Sequence, residues 1–519
     1  MSVTNAGHAD VVIVGVGAAG AVLAAKLARA GLSVVALEAG PHRDSEDFAS
    51  DELSMLYELF WLDERISSGK DPIELGWPNS GRGVGGGTVH FVGYALRFHE
   101  DDFRTKTVDG VGEDWPISYQ DLEPYYAEVE RFNQVSGPTF FPWGPHQGPF
   151  PKRSHVSSCM HDTFRRGCER IGARSTAGPM FIITSPTKDR KPCTYRGFCK
   201  FGCKPKAKSS TLVTYVPEAL RHGATIIANA MVTRVNIGKT GRVESVTYVH
   251  KGREFEQKGD TFILSAYSVE TVRLLLHSTS ASFPNGLANS SGVVGKFLMV
   301  HSADFVIGKY DAMIRQYRGP QGLALTQEWY SRKPDDGFVR AYTLETETLQ
   351  PIEFSKALIR GKGLWGQRLV DEMRDYNHYA SFGIVGECLP SENNTVTLSD
   401  ELDEFGIPRA KVTYSYLDND KKIIEHSVRK CEEIHDAAGA FETFQYPGSA
   451  HLLGTCRMGD DPKTSVVDKW CRTHDVKNLY VCDGSVFTTG AGVNPTLTIE
   501  ALAARTADYV VETKKRREL

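Results

Sequence analysis

Apolar residues along this chain fall into short unbroken runs separated by longer mixed segments, a pattern typical of buried parallel strands joined by helices. The first run covers residues 11–14 and leads into the Ala- and Leu-rich segment 21–30, which favours a helix. Gly31 follows, a residue type that commonly ends helices, and a second apolar run covers residues 32–37. The start of the chain therefore predicts a strand–helix–strand unit of a parallel sheet.

Further runs predict secondary structure along the rest of the chain. Ser118, three residues before Asp121, predicts the N-cap of a helix with a capping box. Residues 136–192 are rich in Pro, Gly and aromatic residues, and we interpret them as a loop-rich lid or as part of a second domain. The other predicted strands cover residues 224–228, 230–237, 243–250, 262–266, 303–307, 394–398 and 479–482, and the other predicted helices cover 217–222, 268–277, 421–438 and 496–510.

A Gly-x-Gly-x-x-Gly motif links the first predicted strand to the first predicted helix. Gly15 allows a sharp turn, Gly17 lets the backbone approach a pyrophosphate, and Gly20 lets the helix pack closely on the strand. The pyrophosphate would lie against the free N–H groups at the helix N-terminus. Glu38 ends the second strand, where a carboxylate accepts hydrogen bonds from ribose hydroxyls. The motif predicts a bound dinucleotide and leaves open whether it is FAD or NAD.

A second glycine-rich loop has five glycines between positions 81 and 87. So many glycines disfavour a stable helix or strand. Trp77, Val84 and Phe91 flank the loop, whereas flexible linkers are usually rich in Gly and Ser without such anchors. We therefore interpret this loop as backbone that wraps closely around a flat ligand, rather than as a linker.

Composition limits the class of protein. At 519 residues the chain is long enough for more than one core, since single cores stop growing at about 250–300 residues. The net charge of −4 gives no electrostatic support for binding nucleic acid or an anionic membrane. No run of about 20 apolar residues occurs, so no transmembrane helix is predicted. The first apolar stretch follows Asp10 without a basic leader, which argues against a signal peptide and predicts a cytoplasmic protein.

Three of the ten cysteines are closely spaced. Cys193, Cys199 and Cys203 lie within eleven residues, and three thiolates at this spacing can converge on one metal or cluster. A fourth ligand is not nearby in the sequence, which disfavours a tetrahedral zinc site. The alternative is a buried, inert cysteine-rich turn, because free cysteines are often buried.

The end of the chain carries three further motifs. They are His451-x-x-Gly-Thr-Cys-Arg-Met-Gly, an Asp-Gly-Ser segment that begins at Asp483, and Asn494-Pro at the start of the last predicted helix. Together with the opening motif that ends in Glu-Ala-Gly and with the Arg-Gly-Val-Gly-Gly-Gly loop, they make the chain resemble the glucose–methanol–choline (GMC) family of FAD oxidoreductases. The resemblance spans nearly the whole chain and is nearest the pyranose oxidase and bacterial FAD sugar dehydrogenase branches.

This resemblance implies FAD as the cofactor and places the second glycine-rich loop beside the flavin ring. At His90 it implies either a covalent bond to the flavin, as in the pyranose oxidase branch, or a histidine packed near the flavin, which we favour. The implied cofactor-binding residues are Gly15, Gly17, Gly20, Glu38, Arg82, Gly86, Gly87, Thr88, His90, Val232, Asp483, Gly484, Asn494 and Thr496.

The resemblance also implies that His451 and Asn494 form a catalytic pair. Oxidation of an alcohol removes a proton from oxygen and a hydride from carbon, and the hydride goes to flavin N5. A neutral imidazole suits the role of proton acceptor, and an amide beside it can hold the alcohol with its C–H toward the ring. Thr496 begins the last predicted helix, whose N-terminus would favour the reduced flavin anion.

The fold implied by the resemblance is α/β, with a Rossmann-type FAD-binding domain and a second, substrate domain built on a mostly antiparallel sheet. Trp365, Tyr379 and Phe382 are candidates for an aromatic lining of the substrate pocket, with ordinary core packing as the alternative for each. The expected FAD-binding segments are residues 1–100, 205–301 and 446–519, and the expected substrate-domain or lid segments are residues 101–204 and 302–445.

The expected function is oxidation of a secondary hydroxyl of a sugar or glycoside to a ketone, with His451 as the base. The sugar assignment rests on the resemblance to the sugar-oxidising branches, through residues 88–90 and the cysteine triplet. Alternatives are oxidation of a non-sugar alcohol and a lyase of the same family that keeps FAD, whereas an NAD-dependent dehydrogenase does not fit the second loop. Electrons would leave to oxygen, a quinone or a partner protein. By the same resemblance, the cysteine triplet is compatible with an iron–sulfur cluster, which we favour less than the inert turn.

Overall fold

The computed structural model describes residues 4–62, 65–77, 79–146, 148–331, 336–516 and 518. Its strands are β1 (Thr4–Val14), β2 (Val34–Leu37), β3 (Ile66–Ser68), β4 (Ser136–Gly137), β5 (Lys152–Arg153), β6 (Thr176–Ala177), β7 (Thr225–Ile227), β8 (Ala230–Ile237), β9 (Val243–His250), β10 (Arg253–Leu264), β11 (Met299–Ser302), β12 (Phe305–Lys309), β13 (Gly322–Thr326), β14 (Tyr342–Glu347), β15 (Tyr379–Glu387), β16 (Thr395–Leu402), β17 (Pro408–Thr413), β18 (Glu442–Tyr446), β19 (Ser449–Leu453) and β20 (Leu479–Val481). Its helices are α1 (Ala18–Arg29), α2 (Glu52–Leu59), α3 (Thr105–Asp109), α4 (Tyr119–Asn133), α5 (Cys159–Arg170), α6 (Tyr215–Arg221), α7 (Glu270–His277), α8 (Pro351–Lys362), α9 (Gly366–Met373), α10 (Asp418–Ala438) and α11 (Thr496–Lys515).

The first large sheet has the parallel core that the opening residues predict. Its strand order is β7-β2-β1-β10-β9-β8, and β20 also pairs with β10. Strands β7, β2, β1, β10 and β20 run parallel to one another. Strand β9 then pairs antiparallel with β10, and β8 pairs antiparallel with β9. Residues 11–14 are buried because β1 is a central strand of this sheet. The arrangement is that of the expected Rossmann-type domain.

Helix α1 directly follows β1 and covers one face of this sheet. Most of its residues are buried, because α6 and α11 pack against it. Gly31, after the end of α1, has a φ of 89°, the left-handed conformation in which glycine commonly ends helices. The chain turns from β1 into α1 through residues 15–17, so the N-terminus of α1 lies at the carboxyl edge of the sheet. In open α/β sheets this edge is where ligands bind.

The second large sheet is the expected antiparallel one. Its order is β18-β12-β15-β14-β13-β6, and β11 connects β15 to β19. All of its described strand pairs are antiparallel. In β12, Val306 faces a core formed with α5 and α10, whereas Phe305 and Ile307 face a core formed with α8. Both faces of the sheet are therefore covered, as the period of two along a strand allows.

The smaller elements include a three-stranded sheet of order β16-β17-β3 and the pair β4–β5. Helix α4 begins with the predicted capping box, in which the Ser118 Oγ accepts a hydrogen bond from the Asp121 N–H. No helix within the described residues has the length and the apolar character needed to cross a lipid bilayer.

Two elements differ from the sequence-based expectation. β1 begins at Thr4, seven residues before the apolar run, because exposed residues 4–8 pair with β10 through their backbone. Helix α5 lies within residues 136–192, which were expected to be rich in loops. Its buried residues Met160, Phe164 and Cys168 recur every four positions, a helical spacing hidden among the surrounding Pro and Gly residues.

Candidate active site

A cavity of about 740 Å³ brings the predicted motifs together. Both glycine-rich loops, His451 and Asn494 contribute to its wall. Gly20 does not line it, because this residue packs against the backbone of Gly15. The predicted residues that do line it are Gly15, Gly17, Glu38, Arg82, Gly86, Gly87, Thr88, His90, Val232, His451, Asp483, Gly484, Asn494 and Thr496.

The two glycine-rich loops contact each other directly. The Gly85 N–H donates a 2.8 Å hydrogen bond to the Val16 carbonyl. A Cβ on Gly86 would lie 2.7 Å from the Cα of Gly17, closer than non-bonded carbon atoms approach. Gly86 also has a φ of 49°, so this position needs glycine for its backbone conformation as well as for its contact. The glycines of both motifs therefore allow the two loops to approach each other closely, a contact that the sequence analysis did not anticipate.

Glu38 is buried and holds backbone together. Its Oε2 accepts a 2.9 Å hydrogen bond from the Val16 N–H, and its Oε1 accepts hydrogen bonds from the N–H groups of Gly40 and Gly83. Burial raises the pKa of this carboxyl group, and the three N–H donors partly offset that rise. Glu38 thus connects the first glycine motif to the second, in addition to lining the cavity where a ribose hydroxyl was expected.

His90 lies on the cavity wall, with its ring 4.3 Å from the ring of Phe60. Its Nε2 is buried and has no hydrogen-bond partner among the described residues. Burial lowers the pKa of His90 to about 3, so the imidazole is neutral at physiological pH. A neutral, unpartnered ring nitrogen at this position fits a flat heteroaromatic ligand lying beside it.

Asp483 is fully engaged in local hydrogen bonds. Its Oδ2 accepts from the Thr271 hydroxyl at 2.6 Å and from the Tyr267 N–H at 3.0 Å, and its Oδ1 accepts from the Ser485 N–H. Tyr267 has a φ of 82°, a left-handed conformation that is uncommon outside glycine. Asp483 therefore fixes the turn after β10, and its neighbour Gly484 lines the cavity beside it.

His451 makes a hydrogen bond to a second histidine, His301. The Nδ1 atoms of His451 and His301 are 3.0 Å apart, and the Nε2 of His301 is 2.6 Å from the Ala491 carbonyl oxygen. A carbonyl only accepts, so His301 Nε2 carries the proton and His301 Nδ1 is an acceptor. His451 Nδ1 must then be the donor. The Nε2 of His451 is left with a free lone pair.

Burial keeps both histidines neutral. Loss of solvent lowers the pKa of His451 to about 3 and that of His301 to about 4, and the nearby His301 further disfavours a charge on His451. His451 also has a φ of 56°, a conformation that is uncommon outside glycine. The arrangement can accept one proton at His451 Nε2.

Asn494 approaches a buried acid. Its Nδ2 is 3.4 Å from the Oε1 of Glu345, and its Oδ1 has no partner among the described residues. Glu345 is 2% exposed, and its pKa is raised by burial and by the neighbouring Glu347. Sequence reasoning missed Glu345, since no recognised motif surrounds the two acids of β14, Glu345 and Glu347.

A buried ionic network supports the loop that carries Asn494. Arg340 donates to Asp102 at 2.7 Å and to Glu387 at 2.9 Å. The Tyr330 hydroxyl donates to Asp102 at 2.7 Å and accepts from the Gly492 N–H at 3.1 Å. Residues far apart in the chain thereby fix the backbone two positions before Asn494.

The cysteine triplet is partly buried. Cys193 Sγ accepts a hydrogen bond from the Tyr195 N–H, and Cys203 Sγ accepts one from the Lys208 N–H. Lys208 Nζ donates to the carbonyls of Val89, Phe91 and Cys199. Within the described part of the chain, no group of three or more His, Cys, Asp or Glu side chains is arranged to hold a metal ion.

The expected aromatic lining is wrong for all three candidates. Trp365 is 81% exposed, because it precedes the surface helix α9. Tyr379 and Phe382 are buried in the cores on opposite faces of the second sheet. The cavity is lined instead by Phe60, Trp61, Trp77, Phe305 and Tyr446, together with the ionisable residues Lys200, Glu345, Glu347 and Glu353.

The lining fits a flavin dinucleotide in several respects. The glycine-only contact between Gly17 and Gly86 leaves backbone exposed to a ligand, and the N-terminus of α1 has no side-chain cap that would compete with a pyrophosphate. His90 Nε2 and Asn494 Oδ1 are polar atoms without partners among the described residues, on the wall of the same cavity.

The chain is similar in sequence and in fold to several known proteins. The 2-methyl-1,2-propanediol dehydrogenase of Mycolicibacterium austroafricanum is 32% identical over 98% of this chain and 96% of its own length. The fructose dehydrogenase large subunit of Gluconobacter japonicus is 31% identical over 98% of both chains. The structure of formate oxidase from Aspergillus oryzae RIB40, studied for its FAD modification, superposes with a TM-score of 0.70 at 17% identity and covers 99% of this chain and 100% of that one.

Two family profiles complete the comparison. The N-terminal GMC oxidoreductase profile matches residues 9–303, and the C-terminal GMC oxidoreductase profile matches residues 390–503. Together they cover well over half of the chain, and the relatives above cover almost all of it. This chain is therefore a member of the GMC oxidoreductase family, an FAD-binding oxidoreductase.

Proposed function

We propose that the protein oxidises a secondary hydroxyl of a sugar or glycoside to a ketone, with His451 as the base. The observation that carries this proposal is the hydrogen-bond chain from the Ala491 carbonyl through His301 to His451. It leaves an unprotonated Nε2 on a cavity wall that also presents the Asn494 amide. Unprotonated imidazole beside an amide donor is what removal of an alcohol proton requires.

The roles of the two side chains follow from their contacts. His451 Nε2 accepts the proton of the substrate hydroxyl, and the low pKa of the buried imidazole keeps that nitrogen available. Asn494 Nδ2 has two hydrogens, of which one is directed at Glu345, so the other can donate to the substrate oxygen and orient the carbinol. FAD, when bound, supplies the electron acceptor, taking up a hydride at N5.

We also propose which residues hold the cofactor. Gly15, Gly17 and the N-terminus of α1 would receive the pyrophosphate, because glycine and uncapped N–H groups are both found there. The loop from Gly86 to His90 would lie beside the flavin ring. Val232 would contact the adenine side of FAD through its backbone, and Thr496 would bring the N-terminus of α11 near the flavin. Glu38 and Arg82 line the cavity near the same loops.

The named activities of the relatives support a polyhydroxylated substrate. Fructose is a sugar, which agrees with the proposal. The diol named for the other relative favours a second candidate function, oxidation of a small 1,2-diol. In 2-methyl-1,2-propanediol only the primary carbinol carries a hydrogen, so that substrate class would give an aldehyde rather than a ketone.

The two candidates are separated by an anaerobic screen of the FAD-loaded protein with sugars, glycosides and small diols. Loss of the oxidised flavin spectrum identifies the substrate class, and product analysis distinguishes ketone from aldehyde. Admission of air then shows whether oxygen accepts the electrons. Turnover of a substrate without any bleaching of the flavin would instead indicate a lyase.

Replacement of the base is expected to slow flavin reduction strongly. His451→Ala removes the proton acceptor and should reduce the anaerobic rate by about 10²-fold or more. Stopped-flow absorbance of the flavin measures this rate, in protein shown to retain FAD. His222→Ala, which changes a histidine that directly follows α6, contacts Glu218 and lies away from the cavity, should keep the original rate. A normal rate in His451→Ala would refute the assignment.

A further inference from the structure

Glu345 occupies an unusual position for an acid. It lies in β14, a central strand of the second sheet, and is paired in register with Leu325 and Gly383 on the two neighbouring strands. Its side chain is on the face opposite Leu344, which packs into the core formed with α5 and α10. At 2% exposure, it is a carboxyl group placed where apolar residues are the rule.

Neighbouring charges do not explain why the carboxyl group of Glu345 is buried. The nearby cation, Lys200, already forms ion pairs with Glu347 and with Glu353, the latter at 2.7 Å. Glu345 forms no ion pair within the described residues, and its Oε2 has no hydrogen-bond partner there. A buried acid with an unsatisfied oxygen costs folding free energy, because that oxygen has lost its hydrogen bonds to water. A role in binding would account for that cost.

The position of Glu345 relative to Asn494 indicates what it binds. Both residues line the same cavity, and Glu345 Oε1 is 3.4 Å from Asn494 Nδ2. If Asn494 holds the oxygen that is oxidised, the free Oε2 of Glu345 lies beside the adjacent carbon of the substrate. The two oxygens of a gauche 1,2-diol are about one hydrogen-bond length apart, which suits two side chains in contact.

We propose that Glu345 and Asn494 together form a subsite for a 1,2-diol unit, in which Glu345 binds the hydroxyl next to the carbinol that is oxidised. The proposal rests on the proposed function, since it assigns the second hydroxyl once the first is held by Asn494 and His451. It applies equally to sugars and to small diols, because both carry hydroxyls on neighbouring carbons.

Protonation fits this assignment. Burial and the neighbouring Glu347 raise the pKa of Glu345 well above its usual range, which favours the neutral carboxyl group. A neutral carboxyl group both donates and accepts, and therefore satisfies a hydroxyl, which does the same. An ammonium group would instead require an ionised Glu345.

Recognition can be measured without turnover. Pinacol is a 1,2-diol whose carbinol carbons carry no hydrogen, so it cannot be oxidised, and 2,3-dimethyl-2-butanol is its analogue without the second hydroxyl. Titration of each into the FAD-loaded protein, followed by the flavin spectrum or by calorimetry, gives two Kd values. We expect pinacol to bind at least about 10-fold more tightly in the wild type, and Glu345→Leu to abolish that difference.

Turnover provides the second readout. For the best substrate of the screen, kcat/KM is compared with that of the analogue in which hydrogen replaces the adjacent hydroxyl, such as 2,3-butanediol against 2-butanol. We expect a preference of on the order of 10²-fold in the wild type and a collapse of that ratio in Glu345→Leu, with Glu345→Gln in between. Both absolute rates should fall as well, because Glu345 also contacts Asn494.

Glu500 supplies a matched control. It is also fully buried, accepts one hydrogen bond from an asparagine, Asn133, and has an oxygen without a partner among the described residues, but it does not line the cavity. Glu500→Gln should keep both the Kd difference and the kcat/KM ratio of the wild type.

Three results would overturn the subsite. They are an unchanged diol preference in Glu345→Leu, a wild type without diol preference, and a stronger preference for 3-amino-2-butanol than for 2,3-butanediol. Each leaves oxidation of alcohols by this protein intact. If no alcohol or sugar bleaches the flavin, the proposed function itself fails.

Discussion

At the scale of single residues, the hydrogen bonds around His451 determine which of its two ring nitrogens carries the proton. A histidine alone can be protonated on either nitrogen, and its sequence context does not choose between them. The Ala491 carbonyl can only accept a hydrogen bond, so the proton of His301 lies on its Nε2. The Nδ1 of His301 is then an acceptor, which places the proton of His451 on its Nδ1. His301 is thus a positioning residue, which acts on the substrate through another side chain.

Removal of the His301 acceptor is expected to impair His451 without removing it. His301→Leu leaves the His451 Nδ1–H buried without a partner, so the productive tautomer loses about 1–3 kcal/mol, or roughly 10- to 10²-fold in the rate of flavin reduction. His301→Gln keeps an acceptor oxygen and should recover part of that rate. Stopped-flow reduction with the substrate from the screen measures both variants. Equal rates in the two variants would show that His301 only fills space.

At the scale of elements, the two glycine-rich loops act as one unit. Gly17 belongs to the turn from β1 into α1, and Gly86 belongs to a loop some seventy residues later, yet their backbones touch. Glu38 connects the two loops through Val16 and Gly83. We propose the five-segment division into domains on the same basis, since the parallel sheet draws its strands from three separate parts of the chain.

Two neighbouring glycines should respond differently to alanine. In Gly86→Ala the new Cβ would lie 2.7 Å from the Gly17 Cα, so the loops must separate, and the apoprotein should unfold several degrees lower than the wild type. In Gly87→Ala the nearest atom, His90 Nε2, is 3.9 Å away, so the apoprotein should keep its unfolding temperature. Thermal unfolding of FAD-free protein tests both variants. A stable Gly86→Ala apoprotein would contradict the described contact.

At the scale of the whole molecule, buried histidines link stability to pH. Burial lowers the pKa values of His90, His155, His161, His301, His435 and His451 to about 3 or 4, whereas an unfolded histidine has a pKa near 6.5. Below pH 6.5 the unfolded chain therefore binds protons that the folded chain does not. The contribution of these histidines to the free energy of unfolding is fully present above pH 6.5, and it decreases as the pH falls toward their pKa values in the folded protein.

The protein is accordingly expected to lose stability as soon as the pH falls below about 6.5. Each of these histidines should remove up to about 1.4 kcal/mol from the free energy of unfolding for every pH unit between 6.5 and 4. The unfolding temperature measured from pH 7.5 to 4.5 should decline steeply below pH 6.5, and less steeply in His161→Gln, which lacks one of the titrating groups. A profile that is flat down to pH 5 would show that these histidines are not buried as neutral groups.

The sequence by itself determined the parallel βαβ opening, the two glycine-rich loops, the capping box of α4 and the family, since each of these depends on residues close together in the chain or on a motif. Only the tertiary structure decided the partners of His451 and Asn494, because His301 and Glu345 lie about 150 residues away from them in the chain. Periodicity reports whether a residue is buried but not what it faces. For that physical reason the pocket lining predicted from aromatic residues was wrong, and the buried acid in β14 was not anticipated.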